Sequence, residues 1–169
     1  MHKEWLEFAA MDLDSAQFLL GMRPVPVEII CYHCEQAAEK LLKAVLVAAD
    51  VEPPKTHDLI QLCKKCAELD EEYEALADAC IELSPYGVQV RYPSNLDLNE
   101  DDMQCALNMC RRTALCGGFL RLSEVMNDFY LGLCSLHDFG TDHGLGLQAD
   151  HRLPCKLLCR DGQHGSRDV

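Results

Sequence analysis

The chain has 169 residues, 49% of them hydrophobic and 7% aromatic, with 28 acidic against 15 basic side chains. That length suits one domain whose core needs no obligatory disulfide or metal. A net charge of −13 excludes broad, nonspecific nucleic-acid binding, which needs clustered Lys and Arg, but leaves room for a local basic pocket.

The 11 cysteines are an odd number, and Met1-His2-Lys3-Glu4-Trp5-Leu6-Glu7 contains no apolar export-signal stretch. The expectation is a cytoplasmic protein whose thiols stay reduced and pack as small apolar groups. The longest apolar stretch, residues 25–49, is interrupted by Glu28, Glu35, Glu39, Lys40 and Lys43. Those charges argue against a membrane span.

In chain order, Trp5, Phe8, Ala9, Ala16, Leu19 and Leu20 recur at helical spacing, so residues 3–22 read as an amphipathic helix. Arg23-Pro24-Val25-Pro26 stops it. A second helix, about Val27 to Ala49, carries two apolar stripes. One runs Ile30, Cys34, Ala37, Leu41, Val45 and Ala48, and the other includes Ile29, Ala38, Leu42 and Leu46. A helix apolar on two sides is sandwiched between neighbours.

Residues 50–56 form a short stiff connector. Thr56 reads as the N-cap of the next helix, with Asp58 complementing its positive end, and Leu59, Leu62, Cys63 and Cys66 carry that helix to about Leu69. A further short helix spans about Glu71 to Leu83, and Ser84-Pro85-Tyr86-Gly87 breaks it. Residues 88–98 read as extended because Pro93 pushes Tyr92 out of the helical region. Asn99 caps a last long helix, with Glu100, Asp101 and Asp102 in its first turn and an apolar face running to about Tyr130.

No segment alternates convincingly at period two, so the expected fold is all-α: an antiparallel bundle of about five helices over residues 1–130. Residues 131–169 hold six of the ten glycines and four of the seven histidines without helical periodicity, and read as an irregular, weakly ordered tail. Charge divides unevenly as well. Residues 1–130 carry 11 basic and 23 acidic groups, the tail 4 and 5.

Two CxxC pairs, Cys31/Cys34 and Cys63/Cys66, have the spacing of half a zinc site each. In an antiparallel hairpin of the second and third helices, however, they would stand roughly 13 Å apart in level. Buried core cysteine is therefore the favoured reading, over both zinc and the redox pair of a thiol oxidoreductase. The ligand-type residues of the tail, Cys134, His137, His143, His151, Cys155, Cys159 and His164, match no closed zinc pattern. Neither a metal site nor a cofactor is expected.

The few cations of the bundle are the candidate binding groups. Lys40 and Lys43 project from the polar strip of the second helix, Lys55 and His57 lie at the start of the third, and Arg91 sits in the extended segment. Arg clamps phosphate oxygens bidentately, Lys supplies a point charge, and a helix start offers free backbone amides. The plainer alternative is a solvated Lys40/Lys43 face with His57 in a capping role.

The chain resembles the HEPN domain family, small helical domains named for higher eukaryotes and prokaryotes and for nucleotide binding. The resemblance rests on Trp5-Leu6, the run Cys34-Glu35-Gln36-Ala37-Ala38-Glu39-Lys40-Leu41-Leu42-Lys43-Ala44, then Lys55-Thr56-His57-Asp58-Leu59, then Tyr86-Gly87-Val88 and Arg91-Tyr92-Pro93. It covers residues 3 to about 130. It implies a bundle that commonly forms a homodimer, often encoded beside a small nucleotidyltransferase in a toxin-antitoxin-like pair. Many relatives are metal-independent ribonucleases with Arg, four to six residues, then His.

None of Arg23, Arg91, Arg111, Arg112 or Arg121 precedes a His at that interval, and Arg160 and His164 are separated by three residues. That departure points away from an enzyme. The motifs kept, Thr56-His57-Asp58 and Arg91-Tyr92-Pro93, resemble the non-nuclease branch. The resemblance then implies nucleotide or phosphate binding by Arg91, Lys40, Lys43, Lys55 and His57, with Tyr92 stacking on a base. The alternatives are a ribonuclease of atypical arrangement, using His57 with Arg91, and a purely structural interaction domain.

Overall fold

The computed structural model describes residues 1–88 and 97–116. The expected extended segment with Arg91 and Tyr92, the continuation of the last helix to Tyr130, and the tail 131–169 lie outside the described residues. Among the described residues the chain is all-α, with helices α1 (His2–Leu19), α2 (Val27–Ala48), α3 (Leu59–Ala67), α4 (Ala77–Leu83) and α5 (Glu100–Leu115). The expected single helix from Glu71 to Leu83 is a 3-10 helix, Glu71–Leu76, followed by α4. The Ser84–Gly87 breaker is itself one 3-10 turn. No described helix is long and apolar enough to cross a membrane.

α2 is the axis of the bundle. α1, α3, α4 and α5 all pack against it, which explains why it is apolar on two sides. Ile30, Cys34, Ala37, Leu41 and Val45 on one stripe and Ala38, Leu42 and Leu46 on the other are buried, while Ile29 and Ala48 at its ends are exposed. Each fully buried Leu or Ile contributes roughly 1.5–3 kcal/mol relative to exposure. α1 meets α2 through Leu6, Ala9, Leu13 and Ala16, spaced three, four and three residues apart. Phe8, expected on the same face, points outward, because it lies on the other side of the helix from that row.

The helix ends follow local chemistry. α2 closes with Asp50 in the left-handed region (φ 57°) and the Val51 amide donating back to the Leu46 carbonyl at 2.9 Å, a six-to-one closure that needs one left-handed residue, a conformation Asp tolerates. Thr56 is not the cap of α3. Asp58 is, its carboxylate accepting from the Ile60 and Gln61 amides at 2.9 and 3.1 Å, while the Thr56 hydroxyl accepts from the Asp58 amide. Both residues act as expected chemically, but the helix starts two residues later.

α5 opens as its sequence predicts. Asn99 accepts from the Asp101 and Asp102 amides, and the Asp102 carboxylate accepts in turn from the Asn99 amide, a reciprocal capping box. Farther along, Arg112 grips Asp78 of α4 with two hydrogen bonds, at 2.7 and 3.0 Å, and the Ala75 carbonyl at 3.0 Å. This guanidinium holds the Asp78 carboxyl below the usual carboxylate range.

Candidate functional site

The charged residues of α2 do not form a solvated strip. Glu35, Glu39 and Lys43, four residues apart, occupy one row of the helix and are all buried. The Glu39 carboxylate accepts from Lys43 Nζ at 2.8 Å and faces Nδ1 of His57 at 2.9 Å. A carboxylate can only accept, so the imidazole hydrogen sits on Nδ1. Lys43 Nζ also lies 5.4 Å from the centroid of the Trp5 ring on α1, a cation–π contact. Three elements therefore meet at this cluster: α1 through Trp5, α2 through Glu39 and Lys43, and the connector before α3 through His57.

A second cluster has the same composition. Asp12 of α1 faces His33 Nδ1 at 3.0 Å and accepts from Lys40 Nζ, which also reaches the Gln36 carbonyl and side chain. The Tyr32 ring stands edge-on to His33. In each cluster one carboxylate binds one lysine and one histidine. They differ in access: the His33 side chain is 22% exposed, that of His57 70%. With Nδ1 committed inward to Glu39, the His57 ring turns its Nε2 edge toward solvent.

Glu35, one turn before Glu39, is the odd member of the row. Its carboxyl is fully buried, accepts one hydrogen bond from the Gln36 side-chain Nε2 at 2.9 Å, and has no partner for Oε1 among the described residues. Burial pushes its pKa up to about 7, helped by the Glu39 charge and opposed by the Gln36 hydrogen bond, His57 and Lys40. Gly87 packs directly over it. A Cβ there would stand 2.6 Å from Glu35 Oε1, so this turn of the chain approaches the carboxyl only because it is glycine.

The structure thus brings Lys43 and His57 together, places Lys40 in the other cluster, and leaves Lys55 exposed two residues before His57. Arg91 and Tyr92 lie outside the described residues. The start of α3 is not an open amide nest, because Asp58 already takes two of its amides. The sequence reading had missed Glu39, Asp12 and Trp5 as partners of these cations. The signal for Glu39 was present, since Glu39 and Lys43 are an i, i+4 acid–base pair on a helix whose neighbouring positions are apolar.

The cysteine pairs belong to the core. Cys31, Cys34, Cys63 and Cys66 are all buried. Burial pushes the Cys31 and Cys66 thiols up to about 12, the reverse of an activated redox thiolate. Cys34 is raised by its contact with Cys110 of α5 and by burial, whereas Cys66 donates to the Leu42 carbonyl at 3.4 Å. Leu42 lies eight residues beyond Cys34, so the two pairs meet α2 at levels about two turns apart. Cys63 is lowered by a hydrogen bond with Cys80 and donates to the Tyr73 carbonyl at 3.2 Å. It also lines a cavity of about 560 Å³ between α3 and the Glu71–Leu83 segment, with Ile60, Lys64 and Ala77, away from the charged clusters.

A family model described as HEPN domain matches residues 2–114, two thirds of the chain and all but the last residue of its described helices. No curated protein and no solved structure matches. With a match over more than half of its length, the chain belongs to the HEPN domain family.

Proposed function

We propose that this HEPN domain is a noncatalytic module that binds a nucleotide or another phosphate-bearing anion, working as a homodimer or with a small nucleotidyltransferase in a toxin-antitoxin-like pair. The observation that carries the reading is the open cluster: buried Glu39 fixes the His57 imidazole with its Nε2 edge outward, and exposed Lys55 stands two residues away. A protonated His57 and Lys55 would donate to phosphate oxygens, with Lys43 holding Glu39 in place. Arg91 and Tyr92, four and five residues beyond Gly87, would add a guanidinium and a stacking ring. Lys40, engaged by Asp12, drops out of the ligand set.

Titration of the purified protein with labelled nucleoside triphosphates tests this. Arg91→Ala and His57→Ala should each weaken binding at least about tenfold, roughly 1.4 kcal/mol. Equal affinity in wild type and both variants, or no binding to wild type, would overturn it.

The same Glu39–His57 pair supports a second reading, a ribonuclease of atypical arrangement. A buried carboxylate on Nδ1 orients an imidazole for proton transfer at Nε2. Incubation with RNA in EDTA decides it, since cleavage no faster than that of the His57→Ala variant eliminates this reading.

A further inference from the structure

The CxxC spacing of Cys63 and Cys66 suggests two thiols that act together, but their sulfurs diverge. Cys66 points into the bundle, its thiol donating to the Leu42 carbonyl of α2 at 3.4 Å. Cys63 turns toward the Glu71–Leu83 segment, where its sulfur lies 3.2 Å from the Tyr73 carbonyl and in hydrogen-bond contact with Cys80 of α4. The touching thiols are therefore on different helices, seventeen residues apart in the chain.

Access separates the two. Cys63 lines the cavity of about 560 Å³, whose rim carries exposed Lys64, Glu68, Glu74 and Ala77. Cys63 is 3% exposed and Cys80 0%, so a small solute entering the cavity meets the first sulfur and not the second. Their contact also tunes them in opposite directions. A hydrogen bond from the Cys80 thiol holds Cys63 below the ordinary thiol value, against burial and the Asp78 charge, and the same bond together with burial pushes Cys80 up. One sulfur is a reachable nucleophile, and the other is a shielded proton donor beside it.

We propose that Cys63 and Cys80 form a peroxide-reactive modification site, in which Cys63 is oxidised first and Cys80 resolves it into a disulfide between α3 and α4. The inference is independent of any ligand at His57. The Cys63 thiolate, its proton released to water, attacks one oxygen of a hydroperoxide; a sulfur–oxygen bond forms, the oxygen–oxygen bond breaks, and the departing oxygen takes up a proton. Cys63 is then a sulfenic acid, oxidised by two electrons, and hydrogen peroxide has become water. The Cys80 sulfur next attacks the Cys63 sulfur; the sulfur–sulfur bond forms, and the hydroxyl leaves with the Cys80 proton as a second water. The pair loses two hydrogens in all. Closing the contact to the roughly 2.05 Å of a disulfide asks movement of α3 and α4, nine and seven residues long, the shortest α-helices among the described residues.

Cys34 and Cys110 make a second contact, between α2 and α5, and serve as an internal control. Both are 0% exposed, and that contact together with burial holds Cys34 well above the ordinary thiol value. Neither lines the cavity, so this pair should stay reduced while the fold is closed.

Limited hydrogen peroxide on the full-length reduced chain, followed by alkylation in denaturant and peptide mapping by mass spectrometry, distinguishes the pairings. Cleavage after lysine and glutamate puts Cys63, Cys66 and Cys80 in three separate peptides. The expected map joins Cys63 to Cys80, with Cys63 consumed at least about tenfold faster than Cys31, Cys34 or Cys66. In Cys80→Ser the reaction should stop at a Cys63 sulfenic acid that dimedone traps, and in Cys63→Ser the Cys80 thiol should stay reduced. Circular dichroism reports whether each variant keeps its helices, and the wild-type map needs no variant. Cys63 joined to Cys66 in place of Cys80, Cys63 still reduced when Cys31, Cys34 and Cys66 have reacted, or Cys80 oxidised in a folded Cys63→Ser chain would overturn the proposal.

Discussion

Asp12 and Glu39 each hold one lysine and one histidine, yet only the Glu39 cluster carries its histidine mostly in solvent. In the Asp12 cluster the lysine and the histidine are both tucked between α1 and α2, with Tyr32 edge-on to His33. In the Glu39 cluster the lysine goes inward, against Trp5, and the histidine goes outward on the connector before α3. The same three functional groups thus make an internal clamp in one place and a presented imidazole in the other. What separates them is the element that carries the histidine: a helix packed between neighbours for His33, and the residue before a helix cap for His57.

The comparison breaks most sharply at the carboxylates. Glu39→Ala would leave the buried Lys43 ammonium without its partner, and should cost about 3–5 kcal/mol in thermal or denaturant unfolding. Asp12→Ala acts on a pair that keeps more access to water, and should cost about 1–2 kcal/mol. Equal losses would mean that the two clusters are buried alike.

Glu35 sharpens it next, through pH. Its pKa rises from 4.5 to about 7 on folding, so between those values the folded state holds a proton that the unfolded state has released. Stability from this group is complete below about pH 4.5, falls as pH rises toward 7, and is absent above that. The loss across the window is roughly 3 kcal/mol. Glu35→Gln should flatten that slope in unfolding measurements between pH 4.5 and 7, while Glu35→Asp should keep a downward slope.

The smallest effects concern the two histidines. His33→Ala should lower stability by about 1 kcal/mol and leave nucleotide affinity unchanged. His57→Ala should do the reverse, with stability within about 0.5 kcal/mol of wild type. A calorimetric melt and a binding titration on each variant fill the four cells of that comparison.

Much of this architecture was legible in the sequence. The double stripe of α2 announced a central helix, and Asn99 followed by three acids announced the start of α5 to the residue. Where the reading slipped, two options were chemically equivalent. Thr56 and Asp58 can each cap a helix, and the tertiary position of Leu59 decided between them. Phe8 satisfied helical spacing on α1, but α1 has two apolar faces and spacing alone does not say which one meets the bundle.

The site was legible only in part, for a related reason. Lys40 and Lys43 are three residues apart and read as one polar strip, whereas Asp12 comes from another helix and His57 from a loop. Their pairing is a matter of tertiary contact that no local pattern carries. Glu39 with Lys43 was the one local trace, and the burial of that pair followed from the neighbouring apolar stripes.

Among the described residues, six free thiols lie buried in the core: Cys31, Cys34, Cys63, Cys66, Cys80 and Cys110. An alkylating reagent attacks a thiolate, and Cys31 and Cys66, raised to about 12, have almost none at neutral pH while the bundle is closed. Each opening of the fold returns those sulfurs to water and to ordinary acidity. The protein therefore carries its own clock: the rate at which its deepest cysteines take up label counts the moments when the helices part.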